Sequence, residues 1–268
     1  MLFLSTHMYT VVATWWLESP LGGFDDAFLA VFMMWLNTEL TYAAVNAFFI
    51  YIERKGYYAK YKIRNEASDT KMVHDAIMFK PIAWMVDVPI YYLSFSIMNM
   101  NGATSSPLDP MPSAGRIAQD TLILTLIFDF LFYAWHRSLH SKLMWPFHKK
   151  HHEVHVSFSC ANDHESVVEL AGNILWKMIP PALLGCHVYT VCVFRSVVKF
   201  FALMHHSGYE LPVFQFLQRI PFVASPSYHD HHHYHGWGNF GGVFNIWDRV
   251  FSTDADQIVE ARLTKKAA

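Results

Sequence analysis

Residues 27–52, AFLAVFMMWLNTELTYAAVNAFFIYI, carry one charged side chain, Glu39, in 26 positions. As a helix rising 1.5 Å per residue this stretch is about 39 Å long, more than the roughly 30 Å hydrocarbon core of a bilayer. Few soluble folds can bury such a segment on all sides. Asn37, Glu39 and Asn46 interrupt it, so one face is expected to pack on protein or line a cavity. Two further apolar stretches follow. Met72 to Met98 is broken by Lys80-Pro81 and Asp87, and IAQDTLILTLIFDFLFYAW (117–135) is the cleanest span. Charged residues make up only 16 % of the chain, against about 25 % in soluble proteins. The expected fold is therefore all-α and polytopic, with three to five membrane-embedded helices.

Charge asymmetry orients these helices. Loop 53–71 holds six basic residues, whereas residues 1–24 and 99–115 hold no Lys or Arg. The basic loop is expected in the cytosol, and the N-terminus and loop 99–115 on the opposite side. Three spans then bring His136 out on the cytosolic side. Residues 165–204 contain Pro180-Pro181, which is expected to split them into two apolar pieces. These form either a hairpin that dips into the membrane or two full spans. Both leave the C-terminus cytosolic. Cys160, Cys186 and Cys192 are odd in number and unpaired in spacing, which fits a reducing compartment. The net charge of −2 and the lack of a basic face give no reason to expect a nucleic-acid partner.

Fifteen of the 17 histidines lie between positions 136 and 235. They are internal and spaced, unlike a tag. HRSLH places His136 and His140 one turn apart at a helix end. HKKHH supplies His148, His151 and His152, and HDHHH repeats the same offsets with His229, His232 and His233. Eight imidazoles exceed the four ligands of a structural zinc and suit two metals sharing a cluster. Imidazole binds Zn, Cu, Fe and Ni, so the ligands alone do not name the metal.

The ordered boxes, together with DFLFYAWHRSLH, HSGYELP (206–212) and NFGGVFNIWDRVFST (239–253), resemble the fatty acid hydroxylase and sterol desaturase superfamily. The similarity is greatest to its sterol 4-methyl oxidase and cholesterol 25-hydroxylase branch, over about Asp129 to Thr253. The resemblance implies two iron ions, with zinc as the alternative occupant of isolated protein, and O₂ as co-substrate. It implies electrons from NAD(P)H through cytochrome b5 and its reductase, and a sterol or related lipid as substrate, with the 4-methyl group as first choice. It also adds His206 as a ninth ligand beside His136, His140, His148, His151, His152, His229, His232 and His233, with His164 and His205 as rivals for that place. Residues 1–116 read as an N-terminal transmembrane region and 117–268 as the catalytic region. Lys265-Lys266 in the tail looks like a dilysine retrieval signal, implying the endoplasmic reticulum membrane.

Three departures touch the substrate more than the chemistry. His164-Glu165-Ser166-Val167 replaces the branch's His-Pro-x-Glu, Phe251-Ser252-Thr253 replaces its Phe-Gly-Thr, and His231 and His235 form a competing pair in box three. A desaturase with the same cluster and a metal-stabilised membrane scaffold remain the alternatives. Asp129, two turns before His136, is expected either to orient a ligand imidazole or to pair with Arg137 or Arg195. His155, His231 and His235 are expected outside the ligand set, and His7, His74 and His187 in structural or interfacial places.

Overall fold

A computed structural model describes residues 25–100 and 106–255. The N-terminus with His7, the centre of loop 99–115 and the Lys265-Lys266 tail lie outside the described residues. Ten α-helices and three short 3-10 turns make up the described chain, which contains no strand.

The long helices begin and end where side chains can cap them. α1 (Asp26–Lys55) starts at Asp25, whose carboxylate accepts the Phe28 N–H, and stops at Gly56 in the left-handed region at φ 66°. α2 (Thr70–Met78) turns at Phe79 into α3 (Lys80–Met100). α4 (Ala114–Leu139) is capped by Ser113, and after the short α5 (Trp145–His148) come α6 (Val167–Leu183) and α7 (Val188–His205), capped by Ser166 and His187. Four helical segments are long and apolar enough to cross a membrane: Asp26–Lys55, Thr70–Met100, Ala114–Leu139 and Val188–His205. Helix α6 is not among them. It descends beside α3 and α4, and α7 returns against α1. Pro180 and Pro181 do not split the segment, as the sequence led us to expect. They sit in the last turn of α6, and the break falls at residues 184–187.

The polar residues that interrupt the first span, Asn37, Glu39 and Asn46, face protein. Asn37 donates to the Cys192 carbonyl and to Ser196 Oγ, Glu39 meets Lys80 Nζ at 2.8 Å, and Asn46 Oδ1 accepts from Ser159 Oγ at 2.6 Å. Leu40, Met85, Leu93 and Leu122 point outward and are more than half exposed, as lipid-facing side chains would be. The C-terminal ends of α1, α4 and α7 and the N-terminal end of α3 share one end of the bundle. There α8 (Pro212–Leu217), α9 (Pro226–His235) and α10 (Ile246–Val250) form a small helical cap.

Candidate metal centre

The three boxes arrive on differently built scaffolds. His136 lies in the last turn of α4, and His140 is its C-cap. Box three occupies one helix, α9, with Ser225 as N-cap, Pro226 in the first turn and Gly236 as the left-handed stop. Asp230 anchors that helix, meeting Arg64 Nη2 at 2.8 Å and accepting from Ser157 Oγ at 2.9 Å. Box two is not one helical face, contrary to expectation. His148 closes α5, and His151 and His152 sit in a 3-10 turn, because α5 ends after a single turn.

All nine expected histidines come together, in two adjacent groups. His136, His140, His148, His152 and His232 form one; His151, His206, His229 and His233 form the other, with the candidate ligand atoms of each group within 4.8 Å of one another. His152 and His233 join them, with ring centroids 4.9 Å apart. Each triple divides the same way. Its first and last members enter one group and its middle member crosses to the other. At about 100° per residue, i and i+4 lie about 40° apart while i+3 falls about 60° to the other side. A helix such as α9 thus serves two centres at once.

The nitrogens themselves bear on whether cations fit. The Nε2 atoms of His206, His229 and His233 are mutually 3.0–3.2 Å apart, and His151 Nε2 is 3.1 Å from that of His206. In the other group His148 Nε2 is 3.1 Å from both His140 Nε2 and His152 Nε2. Each ring nitrogen directs one lone pair or one proton in its own plane, so three converging nitrogens cannot all be satisfied by shared protons. Metal–nitrogen bonds of about 2.1 Å would place neighbouring ligand nitrogens about 3 Å apart, so the donor set fits. Burial, with neighbouring imidazoles adding to it, keeps the rings neutral: His140 is pushed down to about 2 and His152 to about 3. Burial likewise takes His206 down to about 3. Neutral imidazole is the ligating form.

Protein groups fix which nitrogen faces inward. His136 Nδ1 donates to the Phe240 carbonyl at 2.9 Å, His232 Nδ1 to Gly238 at 2.6 Å and His206 Nδ1 to Ala202 at 2.7 Å. His148 Nδ1 lies 2.9 Å from Glu169 Oε1. Such partners set the tautomer and the ring orientation. The loop that offers the two carbonyls is itself held by carboxylates. Asp248 accepts from the N–H of Phe240 (2.8 Å) and Gly241 (2.6 Å), and Asp129 from those of Val243 (2.6 Å) and Phe244 (3.1 Å). A side chain at Gly241 would collide with the Phe244 carbonyl and Asp248.

Asp129 therefore fills neither expected role. It orients backbone, while Arg137 donates to Tyr133 and Arg195 to Thr38 and Tyr91. His205 turns away to the Ala224 carbonyl and His164 to Glu153, which leaves His206 in the cluster. His231 and His235 stack on each other, outside both groups. His155 is exposed, His74 stands beside Asp75 and His187 caps α7. Glu169 and the two loop carbonyls escaped sequence reasoning. A carboxylate one turn into an apolar helix was the only available sign of the first, and backbone acceptors leave none.

A cavity opens from His205, His206 and His229 into the bundle, between apolar walls that include Phe128, Phe132, Leu170 and Ile174. A membrane-type helical bundle with paired polyhistidine groups above an apolar cavity is the class of structure this chain defines. The profile of the fatty acid hydroxylase family matches residues 121–253, and the chain belongs to this family. It is 28 % identical over 239 residues to methylsterol monooxygenase 2-2 of Arabidopsis thaliana, covering 86 % of this chain and 88 % of the relative. It is 28 % identical to a very-long-chain aldehyde decarbonylase of Oryza sativa subsp. indica, over 89 % and 91 % of the two chains. Cholesterol 25-hydroxylase of Rattus norvegicus shares 34 % identity over 59 % of this chain and 55 % of its own. No solved structure gives a significant match.

Proposed function

We propose that the protein is a membrane oxidoreductase that oxidises a C–H bond of a sterol-class lipid with O₂, at two irons held by the nine histidines. The observation that carries this reading is that the group of four opens, through His206 and His229, onto a cavity with apolar walls inside a bundle of span-length helices. The chemistry that bound irons supply is reductive activation of O₂ and oxidation of an unactivated C–H bond. The chain's own part is placement. Glu169 and the carbonyls of Gly238, Phe240 and Ala202 hold the rings. Phe128, Phe132, Leu170 and Ile174 offer an apolar wall to the substrate and exclude water from the cavity. His205, committed to Ala224, closes the cavity beside His206 without joining the cluster.

In this reading electrons come from NAD(P)H through cytochrome b5 and its reductase, and the centre faces the cytosol of an endoplasmic reticulum membrane. Labelling of a cysteine introduced at Ser105 from the lumenal side is the expected topology result; labelling from the cytosol would reverse the orientation. The activity test offers purified protein, cytochrome b5, its reductase and NADH a 4,4-dimethyl sterol, cholesterol, a free fatty acid and a long-chain aldehyde in parallel. NADH- and O₂-dependent oxidation of a sterol supports the proposal. Turnover of the fatty acid or the aldehyde alone removes the sterol, and redox-silent zinc with no O₂ uptake points to a scaffold.

A further inference from the structure

The cavity has a second, charged end. Lys80, Lys177, Arg195 and Lys199 line it, with Asp87, Asp163 and Glu165. Most of these groups are engaged with one another. Lys80 meets Glu39 at 2.8 Å, Lys199 meets Asp163 at 2.7 Å, and Glu165 accepts from Asn173 Nδ2 at 2.8 Å. Arg195 spends its donors on the hydroxyls of Thr38 and Tyr91 and on Met178 Sδ. Lys177 makes no hydrogen bond or ion pair among the described residues, although it faces the cavity from α6.

The side chain of Lys177 is half-buried at the cavity wall, so its ammonium can donate to an acceptor that enters the cavity. The chemistry of that acceptor can be inferred from the polar group beside Lys177. Asn173, one turn away on the same helix, has an Oδ1 without a donor. A hydroxyl, which both accepts and donates, matches this pair better than a carbonyl.

The distance to the histidines follows from helix geometry. Glu169 touches His148, and Lys177 lies eight residues further along α6, about 12 Å of rise. Leu170 and Ile174 on α6 and Phe128 and Phe132 on α4 wall the space between. We propose that Lys177 binds the hydroxyl end of the substrate, so that a carbon far from the hydroxyl meets the histidine groups. For a sterol this selects the side-chain end. It disfavours the 4-methyl group, which sits beside the hydroxyl-bearing carbon and would stay at the Lys177 end.

This inference rests on the sterol reading, and its test separates the two. Binding of radiolabelled cholesterol and of cholest-5-ene, which lacks the hydroxyl, is measured on purified wild type, Lys177→Met and Lys177→Arg. Lys177→Met is expected to weaken cholesterol about tenfold, the loss of one charge-assisted hydrogen bond. It should leave cholest-5-ene unchanged, which also shows that the variant is folded, and Lys177→Arg should restore most of the cholesterol affinity. Equal affinity of wild type and Lys177→Met for cholesterol overturns the proposal. With the electron donors added, wild type should yield side-chain alcohol from cholesterol and little product from a 4-methyl sterol. Oxidation of the 4-methyl group as the main product overturns the proposal while upholding the sterol reading. Lys177-dependent binding without any turnover upholds the anchor and counts against the oxidase.

Discussion

The two histidine groups are braced unequally. In the group of five, His136 and His232 donate to carbonyls of loop 238–240 and His148 lies against Glu169, so three rings are held from outside their own helices. In the group of four, His206 donates to the Ala202 carbonyl one turn back on its own helix, and His151 meets the backbone of His164. The first group is built by tertiary structure that converges from α6 and the 238–244 loop. The second depends on α9 being a helix and on α7 ending where it does. Two centres of like chemistry can thus fail for different reasons, which makes the comparison testable.

The largest effects are expected from removing rings. His229→Ala or His233→Ala should abolish activity and lower bound metal, while the group of five keeps its share; His231→Ala and His235→Ala should change neither. Metal content by mass spectrometry beside turnover checks this. Equal loss of metal from both groups in His229→Ala would show that they load as one unit.

Next comes the brace. Glu169→Gln and Glu169→Leu should weaken metal binding at the group of five by about 10–100-fold, as removal of such partners does elsewhere, and spare the group of four. Competition with a graded chelator gives the two affinities separately. If both groups weaken alike, the inequality described above has no energetic content.

A smaller effect is expected from Asp248→Asn, which keeps the shape but removes the charge from two backbone hydrogen bonds, each worth about 1.5–3 kcal/mol when charged. Its thermal midpoint should fall, and its metal loss should again fall on the group of five, because the loop carries the Phe240 and Gly238 carbonyls. Asp129→Asn acts on the same loop through Val243 and Phe244 and should follow the same pattern.

The smallest is a pH effect. In metal-free protein the half-buried His140 and the buried His152 and His206 have folded values well below the ordinary 6.5. Groups depressed in this sense contribute stability above their unfolded value, and that stability is lost as the pH falls from about 6.5 toward the folded value. Metal-free protein should therefore melt at lower temperature at pH 5 than at pH 7.5. Melting that is flat over that range would mean the rings are already exposed when metal is absent.

Much of this was legible beforehand, for identifiable reasons. Apolar runs of span length have few ways to be satisfied, so α1 and α4 begin and end within a few residues of the stretches that announced them. The histidine offsets carried the cluster because imidazoles that crowd together are rare without a common ligand. The offsets misled where they implied a continuous helix. His148 and His152 meet through a helix end and a 3-10 turn, a path that a spacing of four cannot distinguish from one turn of helix. Pro180-Pro181 misled in a related way: in the last turn of α6 a proline loses little, since the helix stops three residues later. Asp129 was misassigned because a buried carboxylate signals a partner without naming it, and here the partners are backbone N–H groups more than 110 residues away. Lys177 drew no attention in the sequence, because only the cavity gives it meaning.

The brace from loop 238–244 also sets an order of events. All four span-length helices precede His229 in the chain, and Asp248 comes later still. A nascent polypeptide therefore has its membrane helices complete before either histidine group can exist, and its bracing loop last of all. Until then His136, His140, His148, His151 and His152 are a partial donor set, open to whichever cation is at hand. A metal would meet the complete donor set only after translation has passed the loop. A ribosome stalled before Asp248 would display a bundle already inserted beneath a centre that has not yet closed.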